Sequence, residues 1–240
     1  MDKFIEINGK HFINKLQRQL YYKVFQNEDD STILHFGSPK FPCGIILISE
    51  NIAVIINLSY SLKCTNLLLD KGVGMYGIMR AMIQKIIELR VSRQLTFTTI
   101  EFTDNSTIIV DKYELYLADA HRLITGNTWY QDILPELHIV PKNKMKQKEL
   151  YDDKLKLDKL ITSEINYDDV FPENEIVEQI WKSFATRNIK DTCKEIRNKE
   201  PIFWVKHYVK LMNHLNLSRL NGIDFISTSL PDKLTSYFRS

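Results

Sequence analysis

The residues best suited to chemistry form a run of glycines around position 74. The run Gly72-Val73-Gly74-Met75-Tyr76-Gly77 places three glycines at the spacing G-x-G-x-x-G. Glycines at a helix start permit a tight turn and a close approach of the backbone to a ligand, and the free N–H groups there favour an anionic diphosphate. The predicted cofactor-binding residues are therefore Gly72, Val73, Gly74, Met75 and Gly77.

The glycine spacing is compatible with three interpretations. A dinucleotide site of the Rossmann type requires a leading strand, a parallel βαβ unit and an acidic residue about twenty positions further on. The apolar runs before the glycines, 44–49 and 52–58, are instead joined by Glu50-Asn51 and are typical of an antiparallel hairpin. A turn with a purely structural role and a diphosphate site in another fold are the other two interpretations.

Periodicity predicts the elements that hold this segment. Apolar residues recur at helical spacing from Met75 to Ile86, which predicts an amphipathic helix directly after a glycine turn. The residues from Leu95 to Phe102 alternate as a strand does, and 113–123 are predicted to be helical. Near the N-terminus, Asn8-Gly9 predicts a tight hairpin turn, while Ile13 to Phe25 fit an amphipathic helix equally well.

From about residue 10 to residue 140, the order of elements and the glycine segment resemble the GCN5-related N-acetyltransferase (GNAT) family. In that family an Arg/Gln-x-x-Gly-x-Gly/Ala turn wraps the diphosphate of coenzyme A. The matching window here is Leu69-Asp70-Lys71-Gly72-Val73-Gly74, with Leu69 at the position of the basic or amide residue. The resemblance implies an α/β (α+β) fold with a mixed, largely antiparallel sheet and flanking helices, and acetyl-CoA as the cofactor.

Three further motifs narrow the resemblance. Asp104-x-Ser106 ends a predicted strand, Leu123-x-x-Gly126-x-Thr128-Trp129-Tyr130 follows it, and Leu220-Asn221-Gly222 precedes a predicted terminal strand. Together these motifs resemble GNAT-like proteins of large DNA viruses, a group whose biochemical role is largely undefined. The resemblance implies a viral protein in the host cytoplasm or in the virion, and it transfers a fold rather than an activity.

Two residues are candidates for catalysis in an acyltransferase. Glu101, on the predicted strand after the glycine helix, lies where some GNAT members carry the general base that accepts a proton from the amine. Tyr130 lies where the family often has a general acid near the departing thiolate. Each has a structural alternative, with Glu101 as a surface carboxylate and Tyr130, beside Trp129, as an aromatic of the core.

A change of composition after Pro141 predicts a domain boundary. Residues 1–141 are predicted to form the α/β core, and residues 142–240 a mostly helical extension that closes with a short strand. A lysine-rich helix or helical hairpin is predicted at 142–160, and two more helices further on, at 174–197 and 203–217.

The helical extension supplies the candidates for partner binding. Lys142 and Lys144 are candidates for contacts with phosphates or with a partner. Trp204, together with Trp129, is a candidate for stacking on a base or on a partner's side chain. The structural alternatives are a solvated helix face for the lysines and core positions for the aromatics.

Composition limits the functional classes. The chain has 240 residues, of which 44% are hydrophobic, and its formal net charge of +2 gives no dominant attraction to nucleic acid or to a membrane. Cys43, Cys64 and Cys193 are far apart and form no C-x-x-C pair, which predicts free thiols in a reducing compartment and no zinc site. No apolar run is long enough to span a bilayer and no signal peptide is recognised, so a cytoplasmic protein is predicted.

Two functional classes remain open. The first is a non-catalytic interaction module on an acetyltransferase-like fold that binds RNA, a nucleotide or a viral or host protein. The second is an acyl-CoA-dependent N-acyltransferase. The first is preferred because Leu69 and Asp70 depart from the GNAT turn and because no distinct acid–base pair is recognised.

Overall fold

The computed structural model describes residues 4–9, 18–27, 30–38, 40–59, 71–133, 139–227 and 230. They belong to two compact units. The described parts of Met1–Thr103, Ile133–Val140 and Asp224–Ser240 form unit 1, and those of Asp104–Asp132 and Pro141–Ile223 form unit 2. The chain passes from unit 1 to unit 2 between Val140 and Pro141, next to the boundary predicted after residue 141. The structure differs elsewhere, because 104–132 belong to unit 2 and the terminal strand to unit 1.

The β-structure consists of one large sheet and one hairpin. In chain order the strands are β1 (Phe4–Gly9), β2 (Arg18–Gln26), β3 (Thr32–Gly37), β4 (Pro42–Ser49), β5 (Ile52–Leu58), β6 (Thr99–Thr103), β7 (Thr107–Val110), β8 (Tyr113–Tyr116), β9 (Ile139–Pro141) and β10 (Asp224–Ser227). The eight-stranded sheet has the order β1-β2-β3-β4-β5-β6-β10-β9, and β7 pairs with β8 separately. Where the register is defined, β5–β6 is parallel and the other pairs are antiparallel. The predicted mixed, largely antiparallel sheet with flanking helices is confirmed.

The helices flank this sheet in unit 1 and dominate unit 2. They are α1 (Lys71–Val91), α2 (Leu117–Thr125), α3 (Trp129–Ile133), α4 (Lys144–Lys159), α5 (Tyr167–Val170), α6 (Glu175–Ser183), α7 (Ile189–Lys199) and α8 (Pro201–His214), with a 3-10 turn at Thr162–Glu164. Helix α1 belongs to unit 1, and α2 and α4 to α8 belong to unit 2. The lysine-rich helix predicted at 142–160 is confirmed as α4.

The predicted hairpin of two β-branched runs is confirmed as β4 and β5. Glu50 and Asn51 join the strands, and both have positive φ, 48° and 68°. Two consecutive residues with positive φ match the right-handed twist of the flanking strands, which explains why so short a connection closes the hairpin. An antiparallel pair before the glycine segment makes the doubly wound parallel sheet of the Rossmann interpretation wrong.

The N-terminal region forms an antiparallel pair of strands. Arg18–Gln26 is the strand β2, so the alternative of a helix from Ile13 to Phe25 is wrong. Tyr22 of β2 is buried and stacks on Phe36 with ring centroids 5.8 Å apart, and this contact stabilises the segment as a strand. Asn8 and Gly9 are themselves paired within β1 and therefore do not form the predicted two-residue turn.

Helix α1 is longer than its apolar period predicts. It begins at Lys71, so the glycine segment lies inside its first two turns and is not a turn that precedes the helix. The predicted apolar face is confirmed, because Ile78, Met82 and Ile86 are fully buried. A Cβ atom on Gly44 of β4 would lie 2.1 Å from the sulfur of Met82, so the absence of a side chain at Gly44 allows α1 to pack closely on the sheet.

In unit 2, the chain turns at two places where a continuous helix was predicted. The predicted helix at 113–123 begins only at Leu117, because Asp111, with φ of 58°, turns the chain and Tyr113–Tyr116 pairs with β7. The helix predicted at 174–197 is divided into α6 and α7. The helices of unit 2 enclose a core whose largest members are aromatic: Tyr167, Phe171, Trp181, Phe203, Trp204 and Tyr208.

The cysteines differ from each other in state. Cys193 is a free thiol whose pKa is raised by its complete burial in the core of unit 2. Cys43 of β4 is disulfide-bonded, so the prediction of free thiols is wrong for this residue. Sequence spacing did not reveal the bond because cysteine pairing depends on which strands and loops the fold brings together.

A buried ion pair fastens the loop that follows α8. Arg122 of α2 donates from Nη1 to Oδ2 of Asp153 on α4 at 3.0 Å, and its other terminal nitrogen donates to the carbonyl oxygen of Ser218. The N–H of Ser218 donates to the same Asp153 oxygen at 2.9 Å. The side chains of Arg122 and Asp153 are 2% and 11% exposed, so each charge depends on the other for its compensation.

We expect Asp153→Ala to lower the unfolding free energy of unit 2 by about 3–5 kcal/mol, because it leaves the Arg122 charge buried and unpaired. All three tryptophans, Trp129, Trp181 and Trp204, lie in unit 2, so tryptophan fluorescence during guanidinium unfolding measures this unit. The matched control is Glu178→Ala, which breaks the exposed Glu178–Lys182 pair and should leave the midpoint unchanged. Equal midpoints for both variants would contradict a stabilising role of the buried pair.

Candidate functional site

In unit 1, the most distinctive feature is the point where β5 and β6 part. Their parallel pairing begins at Ile52–Thr99 and ends at Ile55–Phe102, although β5 continues to Leu58. On its other edge β5 has a bulge, because the pairing with β4 passes from Ile55 directly to Asn57 and leaves Ile56 unmatched. A bulge bends its strand and increases the local twist, which explains why β5 separates from β6 at this residue.

The parting of the strands leaves a polar edge of the backbone. Beyond Ile55, no described strand pairs with the edge of β5 that faced β6. Ile56 and Asn57 are both exposed, and the side chain of Ile56 is 55% accessible. Backbone N–H and C=O groups on such an edge can pair with an extended ligand as they would with another strand.

The chain topology directs the start of α1 toward the carboxyl end of β5. In a parallel βαβ crossover the helix runs back against its strands, so it begins where the first strand ends. The first turn of α1 contains Lys71, Gly72, Val73 and Gly74, whose N–H groups have no partner within the helix. The residues 60–70 that join β5 to α1, including Leu69 of the predicted diphosphate turn, lie outside the described residues.

The predicted cofactor residues therefore fall into two groups. Gly72, Val73 and Gly74 belong to the first turn and can direct N–H groups at an anion, which the positive end of the helix dipole also favours. Met75 and Gly77 lie beyond the first turn, where the N–H group of each residue bonds to a carbonyl of the preceding turn. A backbone contact from Met75 or Gly77 to a diphosphate is therefore excluded by their helical position.

Glu101 lies on β6 beside this point of parting. It pairs with Val54 of β5 and with Ile226 of β10, one residue before the last position of β6 that pairs with β5. Its neighbours Ile100 and Phe102 are buried on one face of the sheet, so Glu101 points to the opposite face and is partly exposed. The predicted general base is therefore a carboxylate on the sheet face next to the free edge of β5.

Tyr130, the predicted general acid, lies in a buried hydrogen-bond network of unit 2. Its hydroxyl donates to Oδ1 of Asp104 at 2.5 Å. The same oxygen accepts from the N–H of Ser106 at 3.0 Å and from its hydroxyl at 2.5 Å. Trp129 donates from Nε1 to the Ser106 hydroxyl at 3.2 Å. Asp104, which is 2% exposed, thus gathers three donors on one oxygen.

Burial determines the protonation behaviour of this network. Desolvation raises the pKa of Asp104, and the hydrogen bonds from Ser106 and Tyr130 oppose that rise. Burial and, secondarily, the charge of Asp104 raise the pKa of Tyr130. The phenol therefore stays protonated and donates a hydrogen bond to Asp104. Burial of Tyr130 and Trp129 agrees with the core interpretation of both aromatics, and an exposed pocket mouth is not where Tyr130 lies.

The network also joins the three motifs found in the sequence. The N–H of Asp104 donates to the carbonyl of Ile223 at 2.9 Å, and the N–H of Gly222 donates to the carbonyl of Asp104 at 2.6 Å. Asp119 accepts from the N–H of Leu220 at 2.9 Å. The motif segments at 104–106, 123–130 and 220–222 therefore meet in unit 2, where their polar groups satisfy one another.

The predicted partner-binding residues separate by exposure. Trp204 is 1% exposed and Trp129 is 6% exposed, so the structure places both rings in the core, in agreement with the structural alternative to partner binding. At helical spacing these large apolar rings contribute more by burial in the core than on the surface. Lys142 and Lys144 are exposed, in agreement with a solvated position before and at the start of α4.

Sequence reasoning missed two features of these sites. The bulge at Ile56 has no recognisable signal in the sequence, because the β-branched run continues unchanged through it. Asp104 and Ser106 were recognised as a motif, but their role as partners of Tyr130 depends on contacts across more than twenty residues.

Metal and membrane sites were tested on the part of the chain that the structure describes. Within those residues, no group of three or more His, Cys, Asp or Glu side chains is arranged to hold a metal ion. No helix within them combines the length and the apolar character needed to cross a bilayer.

Comparison of the chain with protein-family models, with curated proteins and with solved structures finds no match.

We expect Tyr130→Phe to lower the unfolding free energy of unit 2 by about 1–3 kcal/mol at pH 7, because a buried carboxylate loses a donor. The loss should shrink as the pH falls. Without the Tyr130 donor the folded-state pKa of Asp104 rises further, so the variant loses stability as the pH rises from the unfolded value of 3.8 through that higher pKa.

The measurement is guanidinium unfolding followed by tryptophan fluorescence at pH 4 and at pH 7. Tyr151→Phe is the control, because Tyr151 is 62% exposed and makes no hydrogen bond within the described residues. A stability loss for Tyr130→Phe that is identical at both pH values would contradict the coupling to Asp104.

Proposed function

We propose that unit 1 binds an acyl-coenzyme A on an acetyltransferase-like fold and transfers the acyl group to an amine. The observation that supports this proposal is the parting of β5 from β6 after Ile55, in a crossover that directs the start of α1 toward the carboxyl end of β5. An extended ligand chain that ends in a diphosphate matches this combination, because the strand edge offers peptide-like hydrogen bonds and the helix start offers N–H groups to an anion.

The two parts of the ligand would be held by different elements. The pantetheine chain carries two amide groups and would pair with the free edge of β5 at Ile56 to Leu58. The diphosphate would accept hydrogen bonds from the first turn of α1, where Gly72 and Gly74 leave the backbone without side-chain cover. Each donor satisfied in this way removes an otherwise unpaired N–H group of the helix start.

The chemistry of transfer needs one proton acceptor. The nitrogen of the amine attacks the thioester carbonyl, the carbon–sulfur bond breaks, and coenzyme A leaves as a thiolate that takes a proton from solvent. Glu101 would accept the proton that the amine gives up, because it lies on β6 next to the last position paired with β5. Tyr130 is not assigned to this step, since its hydroxyl donates a hydrogen bond to the buried Asp104.

A second candidate is a non-catalytic interaction module of a large DNA virus that binds RNA, a nucleotide or a protein. The observation that favours it is the burial of Tyr130 and Asp104 in one hydrogen-bond network, which removes the predicted acid from the surface. Leu69, in place of the basic or amide residue of the GNAT turn, also favours binding without transfer.

The proposal predicts that acetyl-CoA stabilises the protein and that the helix start carries the binding. A ligand at a hundred times its Kd adds about 2.7 kcal/mol to the unfolding free energy, which is visible as a raised melting temperature. Val73→Pro removes one N–H donor from the first turn, where N–H groups have no carbonyl partner in the helix, so that proline there breaks no helical hydrogen bond. We expect this variant to bind acetyl-CoA at least tenfold more weakly, because a hydrogen bond to a charged group contributes about 1.5–3 kcal/mol.

Val73→Ala is the matched control, since it shortens the same side chain and keeps the N–H group. Isothermal titration calorimetry with acetyl-CoA and with ATP compares the three proteins, whose ligand-free melting temperatures are checked first. Equal affinity of the proline and alanine variants for acetyl-CoA would place the diphosphate away from α1. A wild-type protein that does not bind saturating acetyl-CoA would exclude the first proposal and leave the second.

Substitution of Glu101 separates binding from transfer. Glu101→Gln should retain acetyl-CoA affinity and lower acyl transfer to a primary amine by about 10²–10⁴-fold, because a general base is lost. Release of free thiol, measured with a thiol reagent over a panel of polyamines and lysine peptides, gives the rate. Binding of acetyl-CoA without any thiol release by the wild type would support a non-catalytic module.

A further inference from the structure

Three lysines form a cluster in unit 2: Lys112 and Lys206 at the ring of one tyrosine, and Lys210 one helical turn after Lys206. Tyr113, the first residue of β8, has the ammonium of Lys206 at 5.0 Å from its ring centroid and that of Lys112 at 5.7 Å. A cation at this distance is attracted to the face of an aromatic ring. Two ammonium groups that would repel each other in isolation are therefore held beside the same ring.

The cluster is positioned by contacts between β8 and α8. The N–H of Tyr116 donates to the buried hydroxyl of Tyr208 at 3.0 Å, which fixes the strand against the helix. Lys206 and Lys210 lie one helical turn apart on α8, so their side chains leave the same face of the helix. His207 lies beside them with its ring 4.5 Å from that of Phe203.

The positive charge of the cluster is not neutralised within the described part of the chain. Lys112, Lys206 and Lys210 are all exposed, and no described carboxylate forms an ion pair with any of them. The nearest acidic residue on β8 is Glu114, whose carboxylate accepts a hydrogen bond from the Tyr116 hydroxyl at 2.8 Å. Burial and the charges of Lys210 and Lys206 lower the pKa of His207, which agrees with a local positive potential.

Three exposed ammonium groups, none of them paired with a described carboxylate, lie on this part of unit 2: those of Lys112 and Lys206 at the ring of Tyr113, and that of Lys210 one helical turn after Lys206. We infer that Lys112, Lys206 and Lys210 bind the phosphate groups of a nucleotide or of single-stranded RNA. Lysine ammonium groups are point charges that suit phosphate. This site belongs to unit 2 and is independent of the acyl-coenzyme A site proposed for unit 1.

The test is binding of a fluorescein-labelled oligouridylate of twelve residues to the full chain, measured by fluorescence anisotropy at several salt concentrations. Lys206→Gln/Lys210→Gln should weaken binding at least tenfold at low salt. It should also lower the slope of log K against log salt by about 1.4, because about 0.7 counterions are released for each phosphate contacted on a single strand.

Lys194→Gln/Lys199→Gln is the matched control, since it removes the same charge from exposed positions of α7 in the same unit. An equal loss of RNA affinity in both double variants would show that net charge alone explains the effect, and it would overturn the inference. Wild-type affinity in the α8 variant would also overturn it. Competition by unlabelled ATP in the micromolar range would identify a nucleotide as the ligand. Displacement by unlabelled RNA alone would identify the polynucleotide.

Discussion

The organisation of unit 2 depends on the hydrogen bonds that the carboxylate of Asp104 accepts. The chain enters the unit at Asp104 and leaves it at Ile223, and these residues are joined by backbone hydrogen bonds in both directions through Ile223 and Gly222. The side chain of Asp104 then fixes Ser106 and Tyr130, so the first residue of the unit binds the residue that precedes β7, the helix α3 and the last loop. A buried charge of this kind is tolerated because each of its donors would also be costly to leave unpaired.

Unit 1 is shaped by a different constraint, the bulge in β5. Up to Ile55 the strand has neighbours on both sides, and its backbone groups are satisfied by β4 and β6. After the unmatched Ile56 it keeps only β4 among the described strands, so the sheet itself creates a short free edge at the carboxyl end of β5. The site proposed for acyl-coenzyme A is thus made mainly of backbone, which is consistent with a glycine segment that carries little other chemistry.

The parts of the structure that could be predicted from the sequence are those governed by local rules. Glu50-Asn51 between two β-branched runs specified a hairpin, and the apolar period from Ile78 to Ile86 specified the buried face of α1. Predictions failed where distant contacts decide. Residues 18–26 became a strand because Tyr22 is buried against Phe36, and Trp204, read as a candidate stacking surface, is enclosed by a core assembled from several helices. For the candidate site, the glycines and Glu101 were found from local signals, whereas the partners of Tyr130 were not.

The pairing of β10 with β6 has a consequence for the order in which the chain folds. Thr103 and Asp224 are cross-strand partners although they are 121 positions apart in the sequence, which makes this one of the least local contacts of the sheet. Closing so long a loop carries a large entropic cost unless the intervening chain is already compact. During synthesis, strands β1 to β6 emerge first, and β10 becomes available only after all of unit 2. We therefore expect unit 2 to fold as a cooperative unit before the sheet acquires its last strands, with the backbone hydrogen bonds of Asp104 to Ile223 and Gly222 bringing the two ends together.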